Sequence, residues 1–217
     1  MDFGKSFTFV FEDSDWLKKI AIIALVMLIP VIGELVALGW SLELMRRVMR
    51  QNPAPLPDLA FSDQLVLGLK GFVVSLVYAL PLIVLGTLDG LAPTVLASGD
   101  SQGLAAVVTI LMVCCGLLAA VYGLLMLIVL PAAFASFLAA DEIAAGFNFR
   151  EVFGLLRAAP GAYLLTVLGA LIGGIIAPLG FIACGIGVLL TGTYVFALLY
   201  HLYGQAYRAA VANRAVV

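Results

Sequence analysis

Residues 103–140 read GLAAVVTILMVCCGLLAAVYGLLMLIVLPAAFASFLAA, a run of 38 residues without one charged side chain. The hydrocarbon core of a bilayer is crossed by roughly 20 apolar residues, so this run indicates membrane-spanning helix. It could form two short spans or one long helix bent around Pro131. A single span leaves Arg150 and Arg157 on the cytoplasmic side, as the positive-inside rule favours. We therefore predict one long helix.

The whole chain has the composition of a membrane protein. Of its 217 residues, 64% are hydrophobic and 11% are charged, and the mean hydropathy is +1.18. Soluble proteins have about 45–50% apolar and about 25% charged residues. These values exclude a disordered chain, a nucleic-acid-binding protein and a secreted disulfide scaffold. The predicted fold class is all-α, a polytopic helical membrane protein.

The first apolar stretch, residues 20–44, is long enough to cross a bilayer, but its middle is interrupted by Pro30, Gly33 and Glu34. Basic residues flank both of its ends: Lys18, Lys19, Arg46, Arg47 and Arg50. A single span would place one of these basic groups outside, against the positive-inside rule. A re-entrant or kinked hairpin keeps both groups in the cytoplasm. We expect this hairpin, with a simple first span as the alternative.

Three further apolar stretches, residues 64–88, 163–182 and 188–203, bring the expected number of full spans to four. The last two are joined by a tight turn at residues 183–187. In this arrangement every basic residue lies on one side of the membrane, and Lys70 is close enough to its helix end to reach the surface. The outer side carries only Asp89 and Asp100. We expect both termini in the cytoplasm and the protein in the cell membrane.

One integral membrane domain is expected over residues 1–217. Its expected segments are an interfacial amphipathic helix (1–15), the hairpin or first span (16–50), a first helical pair (63–140), a cytoplasmic amphipathic helix (148–160) and a second helical pair (161–207). The cytoplasmic helix starts with Asn148 followed by Glu151 three positions later, a capping-box pattern. Helix breaks are expected at Pro30, Gly33, Pro81, Pro131 and Pro160.

Aromatic residues indicate contacts with the membrane surface at both ends of the chain. Phe3, Phe7 and Phe11 share one helical stripe with Val10, and Trp16 follows where the next helix begins. This stripe is typical of a helix in the headgroup region, although a terminal helix packed on its own protein would show the same pattern. Near the other end, Tyr200, His201 and Tyr203 are expected in an interfacial aromatic belt.

Glu34 and Lys70 are the two ionisable candidates inside the membrane. Burying either charge alone is costly, so each should reach water, a partner or an interface. We expect an ion pair between them that joins the hairpin to the next helix, and a proton or ion relay is the alternative.

Small residues at Gly169, Gly173 and Ala177 form a smooth ridge on one helix, which allows close helix packing either within the chain or between chains. Cys114, Cys115 and Cys184 lack metal or redox spacing and are expected to pack as small apolar residues. The single histidine excludes two-histidine metal motifs, and no cofactor is expected.

The residues resemble those of an uncharacterised prokaryotic family of multi-pass membrane proteins, the domain-of-unknown-function family 4013. The stretches that carry this resemblance are residues 1–5, MDFGK; 11–20, FEDSDWLKKI; 29–33, IPVIG; 153–164, FGLLRAAPGAYL; 184–187, CGIG; and 201–205, HLYGQ. Ser14 stands where the family pattern would have proline. The resemblance covers essentially the whole chain and implies a multi-pass membrane protein, without implying an activity.

The sequence favours a non-enzymatic membrane protein, either a structural or accessory subunit of a membrane assembly or an organiser of the bilayer. Its expected partners are the lipid bilayer and other membrane proteins or further copies of itself, but not nucleic acid. The alternative is a small transporter or channel with a polar midplane site near Glu34 and Lys70.

Overall fold

The computed structural model describes residues 1–98, 102–183 and 186–215, and all regular secondary structure in these residues is helical. The predicted all-α fold is confirmed. The elements are α1 Lys5–Thr8, α2 Trp16–Val26, α3 Ile32–Met49, α4 Phe61–Ser98, α5 Gln102–Ala140, α6 Phe149–Ala158, α7 Pro160–Leu179 and α8 Ile186–Arg214, with 3₁₀ turns at Phe9–Glu12, Ile143–Phe147 and Gly180–Ala183.

Four helical stretches in the described residues are long and apolar enough to cross a membrane. They are Phe61–Thr94 in α4, Ala105–Ala140 in α5, Pro160–Ile182, which includes α7, and Gly187–Arg214 in α8. Each exceeds the roughly 20 residues that a bilayer core requires. The four predicted spans are thereby confirmed, and the 38-residue run forms one helix as predicted. Asp100, Cys184 and Gly185 lie outside the described residues.

Two of the predicted helix breaks do not end a helix. Pro81 lies inside α4 and Pro131 inside α5. A proline removes one backbone hydrogen bond from a helix, and spanning helices tolerate this because neighbouring groups and local adjustment satisfy the freed carbonyl. Pro160 does mark a boundary, since it is the first residue of α7, where a proline loses no helical hydrogen bond.

The stretch 20–44 is divided between two helices, as the hairpin prediction requires. α2 ends at Val26 and α3 begins at Ile32, so Pro30 lies in the connection. Val31 has φ 66°, and the N–H of Ile32 donates to the carbonyl of Pro30 over 2.7 Å, which closes a tight turn. Gly33 is the second residue of α3 and does not break it. A Cβ at this position would overlap the carbonyl of Val26, so Gly33 allows the two helices to meet.

The described residues form two compact units, of which the larger comprises residues 1–74 and 128–217. In this unit α8 packs against α1, α2, α3, α6 and α7. Its core contains fully buried side chains from α3, α5 and α8: Trp40, Leu42, Leu44, Met45, Phe134, Phe137, Leu198 and Leu202. α3 is therefore largely enclosed by protein, whereas the predicted spans expose apolar side chains that suit contact with lipid.

The smaller unit comprises residues 75–127, from parts of α4 and α5. The two helices are joined where the hydroxyl of Tyr122 donates to the carbonyl of Tyr78 over 2.8 Å. Thr87 and Thr109 donate to carbonyls of their own helices, those of Val84 and Ala105. Hydroxyls satisfied in this way can face hydrocarbon without an unpaired donor.

α6 confirms the predicted helix start. The side chain of Asn148 accepts a hydrogen bond from the N–H of Glu151, which is the N-cap interaction. Val152 and Leu155 are buried in the larger unit, but Phe149 and Phe153 are exposed. α6 thus has a protein-facing apolar side and a separate aromatic side.

Candidate functional site

The N-terminal segment packs against α8 and brings distant polar residues together. Ser6, Phe9 and Val10 are buried, and the hydroxyl of Tyr194 in α8 donates to the carbonyl of Phe7 over 2.7 Å. Of the two interpretations left open for residues 1–15, the structure shows the contact with the chain's own protein. Phe11 remains exposed, whereas Phe3, Phe7 and Trp16 are half-buried. The interfacial position of this aromatic set stays a prediction.

Gln205 is the centre of a polar network between these two segments. Its Oε1 accepts from the backbone N–H of Asp2 over 2.6 Å, and its Nε2 donates to the carbonyl of Asp2 over 3.0 Å. These two bonds fix the orientation of the amide. The same Nε2 lies 3.0 Å from Ser6 Oγ and 3.1 Å from Nδ1 of His201. Ser6 Oγ is 2.9 Å from this Nδ1.

The network favours one tautomer of His201. The two hydrogens of the Gln205 amide are accepted by the carbonyl of Asp2 and by Ser6 Oγ, so Nδ1 of His201 is the acceptor that the described contacts offer to the Ser6 hydroxyl. We assign the imidazole proton to Nε2 on this pattern. Phe9 stacks on the ring, with 4.0 Å between ring centroids and planes 10° apart, and holds the imidazole in place.

His201 lies at the wall of a cleft of about 760 Å³. Only 5% of the residue is exposed, and it is one of the residues that line this cleft. The other polar side chains that line the cleft are Asp2, Lys5, Glu12, Gln51, Asn52, Gln205, Tyr207 and Arg208. The cleft thus has both polar and apolar walls, which are formed by the two ends of the chain and the segment after α3.

This arrangement differs from the expected interfacial aromatic belt, because protein covers most of these side chains. Tyr200 and His201 are buried, and Tyr203 is half-buried. Tyr200 stacks on Phe134, with 5.9 Å between ring centroids, and tilts against Tyr203 at 5.2 Å. The N-terminal segment and α5 cover this face of α8, and sequence spacing gave no sign of that cover. The sequence did contain one signal for the polar network itself: the i, i+4 spacing of His201 and Gln205 places both residues on one helix face.

A known protein family matches most of the sequence that forms this architecture. The sequence model described as "Protein of unknown function (DUF4013)" matches residues 22–204. The chain belongs to the DUF4013 family. No curated protein and no solved structure matches the chain.

In this DUF4013 protein the family match includes His201 but neither Ser6 nor Gln205, which lie beyond its ends. It extends from within α2 to within α8 and includes the hairpin and most of the four predicted spans. The resemblance found in the sequence is thereby confirmed.

Glu34 and Lys70 do not form the expected pair; no ion pair joins these two described residues. α3 and α4 do meet, because a Cβ at Gly68 would overlap the carbonyl of Leu35. Glu34 precedes Leu35 by one position, so its side chain is turned by about 100° around α3 from this contact. Glu34 is exposed, whereas Lys70 is half-buried. The predicted helix contact is present, but the register separates the charges.

Charged pairs instead occupy the open end of the hairpin. Lys19 Nζ lies 2.8 Å from Asp13 and 3.5 Å from Asp58. Burial opposes both charges, but the hydrogen bond and attraction within the pair outweigh it. The pKa of Asp13 therefore lies below its usual value and the pKa of Lys19 above its usual value. At the end of α3, Arg46 lies 2.9 Å from Asp141.

The small-residue ridge of α7 packs within the chain. A Cβ at Gly169 would overlap Leu202, and one at Gly173 would lie 2.7 Å from Val195 Cγ1. The carbonyl of Ala177 accepts from the hydroxyl of Thr191 over 2.7 Å. Of the two alternatives, contact within the chain is the one observed, because α8 occupies the ridge.

Metal ligands are not clustered in the described residues: no group of three or more His, Cys, Asp or Glu side chains could hold an ion there. Cys114 is a free and exposed thiol, and Cys115 is free and half-buried. The exposed position of Cys114 differs from the packing role that was predicted for it, whereas for Cys115 that role stays a prediction.

Replacing Gln205 by Leu should lower the free energy of unfolding by about 1–3 kcal/mol, because the N–H and carbonyl of Asp2 lose their buried partner. Denaturant titration in detergent micelles measures this loss. Hydrogen exchange should also become faster in residues 1–12, which the amide holds on α8. Gln51→Leu is the matched control, since Gln51 is exposed and should change stability little. Equal stability of the two variants would contradict the anchoring role of Gln205.

Proposed function

We propose that this DUF4013 protein is a non-enzymatic structural or accessory component of the cell membrane that organises the bilayer, with both termini in the cytoplasm. The observation that carries the proposal is the tip of the α2–α3 hairpin. Large apolar side chains are exposed there: Leu25, Leu28, Ile29, Val31 and Ile32. Val31 is 68% exposed. Such a patch is unfavourable in water and suits insertion into hydrocarbon.

The length and polarity of the hairpin support one-sided insertion. α2 has 11 residues and reaches about 16 Å, roughly half of a 30 Å bilayer core. Lys19 in the first turn of α2 and Arg46 near the end of α3 form charged pairs. Both pairs lie at the end of the hairpin opposite its apolar tip. A wedge of this kind would displace lipid in one leaflet and favour membrane curvature.

α6 provides a second element suited to the same membrane surface. Phe149 is 57% and Phe153 is 47% exposed, and both are accompanied by exposed Arg150 and Arg157. Aromatic rings at the headgroup level with arginines towards anionic lipid are typical of helices that lie in the interface.

The transporter alternative receives less support from the geometry. It requires a polar midplane site near Glu34 and Lys70, but neither residue lines the cleft at His201 or the cavity that α5, α6 and α7 form at Ile128, Leu156 and Tyr163. The two charges are also unpaired with each other. The accessory interpretation needs no such site.

Single-cysteine labelling tests the hairpin. Native cysteines are first replaced by alanine, and cysteine is then introduced at Lys18, at Arg50 or at Val31. We expect Lys18→Cys and Arg50→Cys to react with an impermeant maleimide from the same side of oriented vesicles, and a fluorophore at Val31→Cys to be quenched by brominated lipid. Asp63→Cys and Asp89→Cys are the control pair across α4 and should react from opposite sides. Reaction of positions 18 and 50 from opposite sides would show a full span.

Curvature sorting tests the function itself. The labelled protein is reconstituted into giant vesicles from which thin membrane tubes are drawn. We expect enrichment in the tubes, and we expect Leu28→Ser with Val31→Ser to abolish it, because both side chains are exposed and their loss leaves the core intact. Absence of enrichment for the natural sequence, or solute transport by the reconstituted protein, would overturn the proposal.

A further inference from the structure

The cleft at His201 contains a hydrogen-bond donor that the protein leaves unused. Nδ1 is assigned as the acceptor of the Ser6 hydroxyl, which places the imidazole proton on Nε2. No described residue accepts a hydrogen bond from Nε2, and this atom is not among the buried unpartnered atoms, so it opens on the cleft. A donor on a side chain that is otherwise enclosed is costly unless an acceptor from solution reaches it.

Two cationic side chains lie in the same cleft. Lys5 Nζ is 3.8 Å from Glu12, a loose pair in which both side chains are more than half exposed. Arg208 is exposed and has no ion pair with any described residue. Asp2 and Glu12 balance the formal charges of Lys5 and Arg208 in the lining, and Asp2 accepts the backbone N–H of Lys5 over 2.9 Å. The unpaired guanidinium of Arg208 still offers donors that suit an acceptor with negative charge.

The rest of the lining is apolar. Phe9, Val48, Met49, Pro53, Pro55 and Val211 contribute to the walls. The volume of about 760 Å³ is in the range of small-molecule sites, roughly 300–1,000 Å³. A ligand that fills this space would combine an anionic head with an apolar body.

We propose that the cleft binds a small organic anion, a carboxylate or phosphate group that accepts a hydrogen bond from Nε2 of His201 and is held by Lys5 and Arg208. The group comes either from a soluble compound or from the headgroup of a lipid, since both present the same anionic oxygens. The site is independent of the proposed curvature function, because none of its lining belongs to the hairpin tip.

The single histidine makes a direct measurement possible. Protein labelled with ¹⁵N-histidine has one imidazole, whose two nitrogen resonances report the tautomer and the hydrogen bond at Nε2. In detergent micelles at neutral pH we expect a protonated Nε2 and an unprotonated Nδ1. Titration with inorganic phosphate, acetate and dihexanoyl phosphatidic acid should shift the Nε2 resonance in a saturable way. Dihexanoyl phosphatidylcholine is the zwitterionic comparison and should produce no saturable shift.

Charge variants distinguish the site from a general effect of added anion. Lys5→Gln with Arg208→Gln should weaken binding at least tenfold and leave the tautomer unchanged, because both side chains are exposed and outside the Gln205 network. Arg157→Gln is the matched control on α6 and should bind like the natural sequence. Saturation by phosphate or acetate assigns a soluble ligand, and saturation by phosphatidic acid alone assigns a lipid headgroup. A protonated Nδ1, the absence of saturation with all three anions, or equal shifts in the double variant would overturn the proposal.

Discussion

Alanine at Gly39 or at Gly68 should lower the free energy of unfolding by about 3 kcal/mol, because each added methyl group meets backbone rather than a movable side chain. A Cβ at Gly39 would overlap the carbonyl oxygen of Gln64, and a Cβ at Gly68 would overlap the carbonyl oxygen of Leu35. The two contacts are reciprocal and lie on the same seam between α3 and α4. Relief is possible only if the helices move apart, which opens the core around α3.

Denaturant titration in detergent micelles measures both losses, and Gly86→Ala is the control. Gly86 is also in α4 but has nothing within 4 Å of its Cβ position, so alanine there should stabilise the helix by up to about 1 kcal/mol. The double variant at Gly39 and Gly68 should cost less than the sum of the singles, since the first methyl group already separates the helices. Single variants as stable as the natural sequence would contradict close contact between α3 and α4.

The spans and the hairpin could be predicted because they depend on properties that are local in the sequence. Four long apolar stretches require four crossings, and the positions of Pro30 and of the basic flanks indicate a turn. The start of α6 could be predicted for the same reason, because the N-cap side chain of Asn148 and its donor, the N–H of Glu151, are three residues apart. Each of these features depends only on residues within one turn or one helix.

Contacts between helices were not predictable in the same way. In lipid, an apolar side chain can face either a neighbouring helix or an acyl chain, so hydropathy does not indicate which face is buried. Gly39 and Gly68 therefore gave no distinct signal, although they set the α3–α4 contact. The ion pair expected between Glu34 and Lys70 was absent for a related reason, since the right helices meet in a register that separates these charges.

The network at His201 was missed because its members are nearly the whole chain apart. Ser6 and Gln205 are 199 positions from each other, and no periodicity connects them. A histidine between two tyrosines at a helix end is typical of an interfacial belt, and the N-terminal cover that buries it is a tertiary feature. Sequence reasoning therefore missed a polar network that depends on the tertiary fold rather than on local spacing.

Replacing Trp40 by Ala should cost about 3–5 kcal/mol of unfolding free energy, because the side chain is completely buried in α3 at the centre of the larger unit. Its Nε1 donates to the carbonyl of Pro57 over 2.8 Å, so the same ring holds the linker before α4 on the hairpin. Loss of the ring leaves a cavity and frees this linker. Denaturant titration measures the stability, and hydrogen exchange in residues 52–60 should become faster.

Trp40→Phe separates the two contributions of the indole ring. Phenylalanine keeps most of the apolar packing but leaves the carbonyl of Pro57 without its donor, so the expected loss is about 1–3 kcal/mol. Trp16→Ala is the matched control, because Trp16 is half-buried and contacts Phe11 edge-on at 4.9 Å, and we expect a loss of about 1 kcal/mol. The chain has only these two tryptophans, so Trp16→Phe leaves Trp40 as the one indole emitter and its spectrum should be that of a buried ring. A water-exposed emission from this variant, or equal losses for Trp40→Ala and Trp16→Ala, would contradict the enclosure of α3 by the larger unit.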